Sequence, residues 1–267
     1  MYSVLQNKQK IKFKFDKFPY LIIDDALPKD IYNKLNASFP KYEKIIGKNE
    51  YKENFAYRYN AFSSLRDNEI SSDWKEFIKF HTSYEFLEDF YNIFGESIKK
   101  IYKVEKDRLF NKNNIGVRFE SKNYFNLDCQ FVINTPTSGE TKVIEPHLDN
   151  PVEFYAALLY MKDENDDSEG GNLMTYDFKD KPSFYGKSRV REEKVNLIEE
   201  IEYKQNRLVM FLNSPFSIHG VSKRSKTKFY RKYINIIGEF NFELFNYRNF
   251  LEDWFFIFFC YYQKFDF

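Results

Sequence analysis

The spacing of apolar residues in the first hundred positions predicts a short strand followed by helices. Residues 18–25 (FPYLIIDD) have the composition of a strand, and residues 28–38, which a proline opens, have helical spacing. Residues 41–70 are polar and show no sustained period, which predicts a long surface loop. Residues 72–102 repeat apolar side chains at helical spacing, so we expect two amphipathic helices there, with Gly95 as a candidate break.

After Asn114 the pattern changes to short β-rich segments. Seven are recognised, at residues 115–119, 129–134, 153–161, 172–176, 195–203, 207–212 and 232–240. Short strands in this number predict a sandwich or a barrel. Because no repeat or linker separates them from the helical half, we expect an α+β fold with a mainly β core, in which the helices support one barrel.

We expect one domain over residues 1–267, with internal boundaries at the same change of pattern. Its parts are the first strand with the supporting helices in 1–110, the β core in 111–245 and an aromatic C-terminal segment in 246–267. The most apolar run, Trp254–Tyr262 (WFFIFFCYY), is about half the length of a membrane-spanning helix. It is interpreted as a segment that packs against the core.

Charge and cysteine content exclude several classes of function. The chain has 41 Lys and Arg against 40 Asp and Glu, so no overall field attracts nucleic acid or an anionic membrane. The two cysteines, Cys129 and Cys260, are far apart and lack the spacing of a zinc site or a disulfide framework. Since the N-terminus lacks a signal-peptide pattern, we expect a cytoplasmic protein with no membrane span, either a monomer or a homodimer.

Two of the three histidines lie in sequence contexts that suit a metal site. His147 and Asp149 are two residues apart, so in an extended segment both side chains leave the same side of the backbone. His219 follows the strand predicted at 207–212, in a turn, and supplies a third candidate ligand. Two histidines and one carboxylate with open positions beside them form the arrangement that binds non-haem Fe(II). The remaining histidine, His81, is interpreted as a packing or surface residue.

Four segments around these residues resemble, in the same order, the prolyl 4-hydroxylase-like branch of the 2-oxoglutarate/Fe(II)-dependent dioxygenase superfamily. They are His147–Pro151 (HLDNP), Ala157–Met161 (ALLYM), Gly170–Leu173 (GGNL) and Asn206–Phe211 (NRLVMF). The resemblance covers about residues 115–240. It implies a double-stranded β-helix, a jelly-roll barrel of the cupin type, in which His147, Asp149 and His219 are the catalytic Fe(II) ligands.

The same resemblance implies 2-oxoglutarate as cosubstrate, O2 as oxidant and ascorbate as an optional activator. The far carboxylate of 2-oxoglutarate then needs a basic residue, and Arg231 is preferred because a guanidinium holds a carboxylate by two bonds. Arg231 lies twelve residues after His219, a longer spacing than the family commonly shows, so Lys228 and Lys232 remain rivals. Tyr160 matches a tyrosine that lies near this carboxylate in related enzymes, and its alternative reading is a core aromatic residue.

The sequence offers fewer candidates for residues that contact the substrate. Gln130 and Asn134 lie on the strand predicted at 129–134 and are candidates for contacts with substrate or cosubstrate. Arg118 is a candidate partner for an anionic substrate group. Most of the basic residues in 223–228 are interpreted as a solvated turn.

The resemblance therefore implies an enzyme that hydroxylates an unactivated C–H bond of a small molecule, glycan or peptide and releases succinate and CO2. In related halogenases a small residue replaces the carboxylate ligand, so the presence of Asp149 favours an oxygenase outcome. Two alternatives stay open. One is a cupin-like metal-dependent isomerase or epimerase that does not consume 2-oxoglutarate, and the other is a barrel protein that binds without catalysis.

Overall fold

The computed structural model describes residues 2–14, 17–142, 144–185 and 188–246. The strands in these ranges are β1 (Lys12–Lys14), β2 (Tyr20–Ile23), β3 (Ala56–Tyr59), β4 (Ile115–Val117), β5 (Phe125–Asn134), β6 (Glu153–Tyr160), β7 (Leu173–Phe178), β8 (Val195–Ile201), β9 (Leu208–Leu212), β10 (His219–Val221) and β11 (Arg231–Phe240). The α-helices are α1 (Lys29–Ala37), α2 (Tyr42–Ile46), α3 (Ala61–Arg66), α4 (Ser72–His81), α5 (Tyr84–Tyr102) and α6 (Lys106–Leu109).

Two sheets make up the β core. The larger sheet has the strand order β1-β2-β9-β6-β11-β5-β3, all antiparallel, and β4 pairs with β5 in parallel. The smaller sheet has the antiparallel order β10-β7-β8. Strands distant in the sequence thus alternate within each sheet, as they do in a double-stranded β-helix. The predicted fold class, with a mainly β core and supporting helices, is confirmed.

Side chains of the larger sheet alternate between two environments with the period of two that a strand imposes. One face belongs to a core that the sheet shares with the helices, and its residues include Phe131, Ile133, Tyr155, Ala157, Leu159, Met210 and Ile234. The other face forms a second apolar cluster inside the barrel, with Val132, Ala156, Tyr160, Val209, Phe211 and Tyr233. The inner face is therefore the one that can line a binding site.

Helices α4 and α5 cover the outer face with aromatic rings. Phe90 of α5 lies 4.3 Å from Tyr155 of β6 between ring centroids, and Trp74 of α4 lies 4.8 Å from Phe131 of β5. Trp74 Nε1 also donates a hydrogen bond of 3.0 Å to the carbonyl of Leu35 in α1. This layer keeps water from the outer face of the strands whose inner face carries the site.

His81 is a packing residue of this helical layer. It is fully buried, its Nδ1 lies 2.8 Å from the carbonyl of Phe77, and its Nε2 accepts the N–H of Val4 at 3.2 Å. Burial lowers the pKa of His81 to about 3, so the ring is neutral at physiological pH. The histidine is satisfied where it lies and has no place in a metal site.

The segment 41–70 is not the long loop that its polar composition predicts. It contains α2, β3 and α3, which are five, four and six residues long. Elements this short do not complete enough periods to be recognised from the sequence, and tertiary contacts determine them. Strand β3 pairs with β5, and Asn60 caps α3 by accepting the N–H of Ser63 at 2.8 Å.

The predicted break at Gly95 is also wrong, because this glycine lies inside α5. The two helices separate at Thr82 and Ser83, and Ser83 Oγ accepts the N–H of Phe86 at 3.3 Å to begin α5. The sequence pattern also misses β1 and β10, since three residues show no period. His219, expected in a turn, is the first residue of β10.

The predictions for the C-terminal segment, including Trp254–Tyr262 and Cys260, fall on residues 247–267, which lie outside the described ranges. The other cysteine, Cys129, is buried in β5. None of the helices in the described part of the chain is long and apolar enough to cross a membrane. The single domain with boundaries near 110 and 245 stays a prediction.

Strand β11 passes very close to two aromatic rings at Gly238. A Cβ there would lie 2.3 Å from Tyr155 Cε1 and 2.7 Å from Phe125 Cζ. We predict that Gly238→Ala lowers the free energy of unfolding by about 1–3 kcal/mol, because both rings must move within a packed core. Urea unfolding measures this loss. Gly139→Ala is the matched control, since its Cβ would meet no atom within 4 Å, and equal stability of the two variants would contradict the packing.

Candidate metal centre and pocket

The side chains of His147, Asp149 and His219 converge although they are far apart in the sequence. The first two precede β6 of the larger sheet, and the third begins β10 of the smaller one. Asp149 Oδ1 lies 3.7 Å from His147 Nε2 and 3.5 Å from His219 Nε2. One possible ligand atom from each residue lies within 4.8 Å of the other two. A single metal ion can bind three atoms at this spacing.

Paired backbone hydrogen bonds hold the two histidines side by side. The N–H of His147 donates to the carbonyl of His219 at 2.8 Å, and the N–H of His219 donates to the carbonyl of His147 at 3.0 Å. The imidazole centroids are 4.5 Å apart. The separation of the two nitrogen ligands is therefore set by main-chain geometry.

A further hydrogen bond orients each imidazole. His147 Nδ1 lies 2.8 Å from the carbonyl of Glu145, and His219 Nδ1 lies 2.9 Å from the carbonyl of Ser217. A carbonyl oxygen can only accept, so Nδ1 carries the proton in both neutral rings and Nε2 keeps its lone pair. Metal-binding histidines commonly have this arrangement, with one nitrogen held by the protein and the other turned toward the metal.

Asp149 is held in its ionised form. Burial raises the pKa of this carboxyl, but the imidazoles of His219 and His147 outweigh burial and hold the pKa well below its usual range. For His219, burial lowers the pKa, while Asp149 raises it and determines the net direction. The three groups compete for protons, and a divalent cation can replace those protons.

Asn213 connects the two segments that carry the three residues, and no sequence pattern pointed to it. Its Nδ2 donates to the carbonyl of Asn150, next to Asp149, at 3.1 Å. Its Oδ1 accepts from Ser217 Oγ at 2.8 Å, in the loop that leads to His219. The side chain is fully buried. One amide therefore fixes both segments relative to each other.

A cavity of about 430 Å³ extends from these three side chains into the barrel. Its apolar walls come from both sheets and include Ala156, Leu158, Leu173, Phe211 and Val221. Arg231 of β11 also lines it. A larger open cleft of about 970 Å³, near Tyr32 and Asp163, contains none of the candidate site residues. The smaller cavity is the candidate binding site, because the three converging side chains and Arg231 line it.

Arg231 supplies a buried positive charge to this cavity. It is 2% exposed, and it donates from Nε to the carbonyl of Gly171 at 2.8 Å and from Nη1 to Asn134 Oδ1 at 3.2 Å. Among the described residues, Arg231 Nη2 and Asn134 Nδ2 have no acceptor. Two buried donors side by side, both without an acceptor, indicate a place for an anion.

Three tyrosine rings enclose the guanidinium. The centroids of Tyr160, Tyr203 and Tyr233 lie 5.2, 4.9 and 4.8 Å from Arg231 Cζ. Tyr160 is fully buried, and its Oη forms no hydrogen bond of normal geometry with the described residues. Burial raises the pKa of Tyr160 against the opposing effect of Arg231, so the phenol remains a neutral donor. Tyr160 is thus a buried core aromatic residue whose ring also packs against the guanidinium of Arg231.

The two rival lysines do not line the cavity. Lys232 follows Arg231 on β11 and lies on the opposite face, where its Nζ donates to Asn36 Oδ1 at 3.2 Å. It is 5% exposed, because the helical layer covers that face as well. Lys228 is exposed, with its Nζ 5.6 Å from the ring of Phe229. Of the three basic candidates only Arg231 contributes to the cavity wall.

Arg224 does not lie in solvent as the predicted turn implies. It is 1% exposed and donates to the carbonyls of Thr135 at 3.1 Å and Phe229 at 2.8 Å. Burial, and then the nearby charge of Arg231, lower its pKa. The lysines at 223, 226 and 228 are exposed as predicted, and their presence hides the buried arginine from any sequence pattern.

The Gly-Gly turn before β7 brings the chain against both arginines. Gly170 and Gly171 have φ of +75° and +69°, a region that favours glycine. A Cβ on Gly171 would lie 3.0 Å from Arg224 Cγ and 3.2 Å from Arg231 Cδ. These glycines therefore permit the close approach that positions the guanidinium of Arg231.

The predicted substrate residues have different surroundings. Gln130 and Asn134 both line the cavity, and Gln130 Nε2 donates to Asp128 Oδ2 at 2.6 Å. Arg118 lines the cavity too, but its Nε lies 2.9 Å from Glu239 Oε1 and its Nη1 lies 3.8 Å from Asp128 Oδ2. Its charge is already balanced by these carboxylates. That Arg118 meets an anionic substrate group stays a prediction, and these two carboxylates compete with such a group for the guanidinium.

Comparison with protein families gives one match. Residues 131–236 match the model described as the 2OG-Fe(II) oxygenase superfamily. This range contains the converging histidines and aspartate as well as Arg231. A search of curated proteins found no significant match.

Several solved structures are similar to this chain. A prolyl 4-hydroxylase from Phytophthora capsici is 15% identical with a TM-score of 0.44, and the match covers 83% of this chain and 59% of that one. A prolyl-4-hydroxylase from Pseudomonas putida is 12% identical with a TM-score of 0.39, covering 89% and 98%. HygX from Streptomyces hygroscopicus, with nickel, 2-oxoglutarate and hygromycin B bound, is 11% identical with a TM-score of 0.46, covering 85% of each chain. Similarity at this level transfers no substrate.

The family match and the geometry agree on the same residues. The matched range 131–236 contains most of the residues that line the cavity and all three residues of the converging His-Asp-His group. The predicted superfamily is thereby confirmed. Residues 131–236 thus match the 2OG-Fe(II) oxygenase superfamily, whose members use Fe(II), 2-oxoglutarate and O2.

Proposed function

We propose that this chain is an Fe(II)- and 2-oxoglutarate-dependent hydroxylase of an unactivated C–H bond, with His147, Asp149 and His219 as the iron ligands. One observation carries the proposal. Two imidazole nitrogens and a carboxylate oxygen meet within 4.8 Å on a cavity that also contains the buried Arg231. Three protein ligands of this kind leave coordination positions for a cosubstrate and O2.

The surroundings of Arg231 fit 2-oxoglutarate. Arg231 Nη2, Asn134 Nδ2 and Tyr160 Oη are buried groups that lack hydrogen-bond partners among the described residues. A carboxylate offers four acceptor sites and accepts two parallel bonds from a guanidinium. These three residues would hold the far carboxylate of 2-oxoglutarate, which assigns Asn134 to the cosubstrate rather than to the substrate.

The iron with 2-oxoglutarate supplies the oxidation: one atom of O2 enters the product hydroxyl group, the other enters succinate, and CO2 leaves. The protein contributes geometry and a dry environment. The bonds at Nδ1 orient His147 and His219 so that Nε2 of each neutral ring carries the lone pair that would bind the metal. The apolar cavity walls exclude water that would compete with the substrate. Asp149 occupies the ligand position that a halide takes in related halogenases, so hydroxylation is the expected outcome.

The finer proposals concern the substrate and the setting of the enzyme. We assign the chain to the prolyl 4-hydroxylase-like branch, and we propose a small molecule, glycan or peptide as its substrate. We further propose that it works in the cytoplasm, as a monomer or homodimer, and as one domain over residues 1–267. The near balance of 41 basic and 40 acidic residues supports a local target rather than nucleic acid.

The first prediction concerns the iron ligand Asp149. Asp149→Ala should abolish the visible charge-transfer band that appears when Fe(II) and 2-oxoglutarate are added without oxygen, and it should abolish succinate release in air. The reason is the loss of the only anionic protein ligand in the group. Asp167→Ala, at an exposed carboxylate, is the matched control. Wild-type protein without the band, or an Asp149→Ala protein that consumes 2-oxoglutarate at the wild-type rate, would refute the proposal.

The second prediction concerns the cosubstrate anchor. Arg231→Lys keeps the charge but loses the paired bonds, so the Kd of 2-oxoglutarate should rise about tenfold or more, and Arg231→Gln should raise it further. The Kd of Fe(II), measured separately by calorimetry, should stay close to the wild-type value. Lys228→Gln is the control, because this rival is exposed. A larger loss of 2-oxoglutarate affinity in Lys228→Gln than in Arg231→Lys would reverse the assignment.

The third prediction concerns the positioning residue Asn213. Asn213→Ala should weaken Fe(II) binding about 10–100-fold, because the segments of Asp149 and His219 lose their shared hydrogen-bonding partner. The measurement is a metal titration at a temperature where circular dichroism shows the variant to be folded. Asn196→Ala, at an exposed position of β8, is the control. An unchanged affinity for Fe(II) in a folded Asn213→Ala protein would contradict the positioning role of Asn213.

A further inference from the structure

The cavity contains hydrogen-bond acceptors that have no donor in the described part of the chain. They lie on β5 and β11, on the side of Tyr233 that is away from Arg231. Gln130 of β5 and Asn235 of β11 are directly paired across the two strands, and both line the cavity. Gln130 is 4% exposed. Gln130 Oε1 and Asn235 Oδ1 are buried and have no hydrogen-bond partner among the described residues. This pair of acceptors lies four residues along β11 from Arg231, whose surroundings present donors instead.

The orientation of the Gln130 amide is fixed by its neighbour. Asp128 Oδ2 accepts from Gln130 Nε2 at 2.6 Å, so the amide nitrogen is held away and the oxygen is left unpaired. Asp128 is itself held, because its Oδ1 accepts the N–H of Ala61 at 2.8 Å and that of Cys129 at 2.9 Å. A carboxylate cannot donate when ionised, so Gln130 cannot exchange its two ends without losing this bond.

Three carboxyl groups lie around this acceptor pair, and burial raises the pKa of each of them. Asp128 and Glu239 are buried, and Glu153 lines the cavity close to Asp149. Arg118 lies against Glu239 at 2.9 Å and near Asp128 at 3.8 Å, so its donors are directed at these carboxyl groups. Arg58 also lines the cavity but is exposed. The two unpaired amide oxygens therefore favour a ligand group that has several hydrogen-bond donors over an anion.

We propose that Gln130 and Asn235 select a substrate that carries a primary ammonium group, and that Asp128 sets this preference by fixing the Gln130 amide. This inference rests on the proposed function, since the ammonium group would lie beside the iron and 2-oxoglutarate. An ammonium group has three donors and no acceptor, so it can satisfy both amide oxygens and keep one donor for a carboxylate or water. A carboxylate in the same place would meet two acceptors and lose its hydration without compensation.

The test uses a matched set of probes: cyclohexylamine, cyclohexanol and cyclohexanecarboxylate. Each is titrated anaerobically into the complete Fe(II)–2-oxoglutarate protein while the charge-transfer band is followed. Saturation-transfer NMR on the zinc-loaded protein with 2-oxoglutarate gives a readout that needs no turnover. In the wild type, cyclohexylamine should bind about tenfold or more tightly than the carboxylate, as expected when two buried acceptors gain donors.

Two variants separate this proposal from general pocket effects. Gln130→Met removes the free oxygen with little change of volume and should reduce the preference for the amine about tenfold, while Gln9→Met, at an exposed position, should leave it unchanged. Asp128→Asn keeps the acceptor for Ala61 and Cys129 but places an amide nitrogen against Gln130. The Gln130 amide should then reverse and present its nitrogen to the cavity, so the ratio of amine to carboxylate affinity should fall more than in Gln130→Met.

The outcomes distinguish failure of this inference from failure of the proposed function. If the wild type shows no Fe(II)–2-oxoglutarate band, both the proposed function and this inference are refuted. If the band forms but the carboxylate binds as well as the amine, or none of the probes binds, only the ammonium assignment is overturned. An unchanged preference in Gln130→Met overturns it as well, and this variant suffices where Asp128→Asn does not fold.

Discussion

The site depends on a pair of main-chain hydrogen bonds between two segments that are far apart in the sequence. The bonds between His147 and His219, at 2.8 and 3.0 Å, join the segment before β6 to the start of β10. Neither sheet alone contains more than part of the metal group. Because main-chain bonds are short and directional, the pair fixes the distance between the two imidazoles more tightly than side-chain packing could. The candidate metal centre is thus a consequence of closing the barrel.

The same closure leaves unpaired donors and unpaired acceptors on the cavity wall, at different heights along strands β5 and β11. Arg231 and Asn134 present donors, and Asn235 and Gln130 present acceptors, at paired positions of β11 and β5. Strand alternation puts all four on the inner face, and the even spacing along each strand separates the layers. A ligand pair of opposite polarity therefore has a defined order within the barrel, with the anion beside the arginine and the donor group at the amide layer.

The sequence predicted the parts of this arrangement that repeat along the chain or stand close together. Alternation predicted the core strands. The spacing of His147 and Asp149, together with the motifs around them, predicted a ligand group whose side chains the structure brings together with His219. It did not predict Arg224 or Asn213, because each acts through hydrogen bonds to main-chain atoms that are distant in sequence. The elements in residues 41–70 were not predicted for a related reason, because the pairing of β3 with β5, and not local propensity, determines the structure there.

Arg231 and Arg224 raise the question of how two guanidinium groups are tolerated in a dry interior. Arg224 donates to two carbonyl groups, and three tyrosine rings surround Arg231, so both charges have partial compensation. The compensation is incomplete, since Arg231 Nη2 keeps an unused donor and the charge of Arg231 lowers the pKa of Arg224. An anion beside Arg231 would relieve both effects. The proposed binding of 2-oxoglutarate at Arg231 would therefore also stabilise the folded protein.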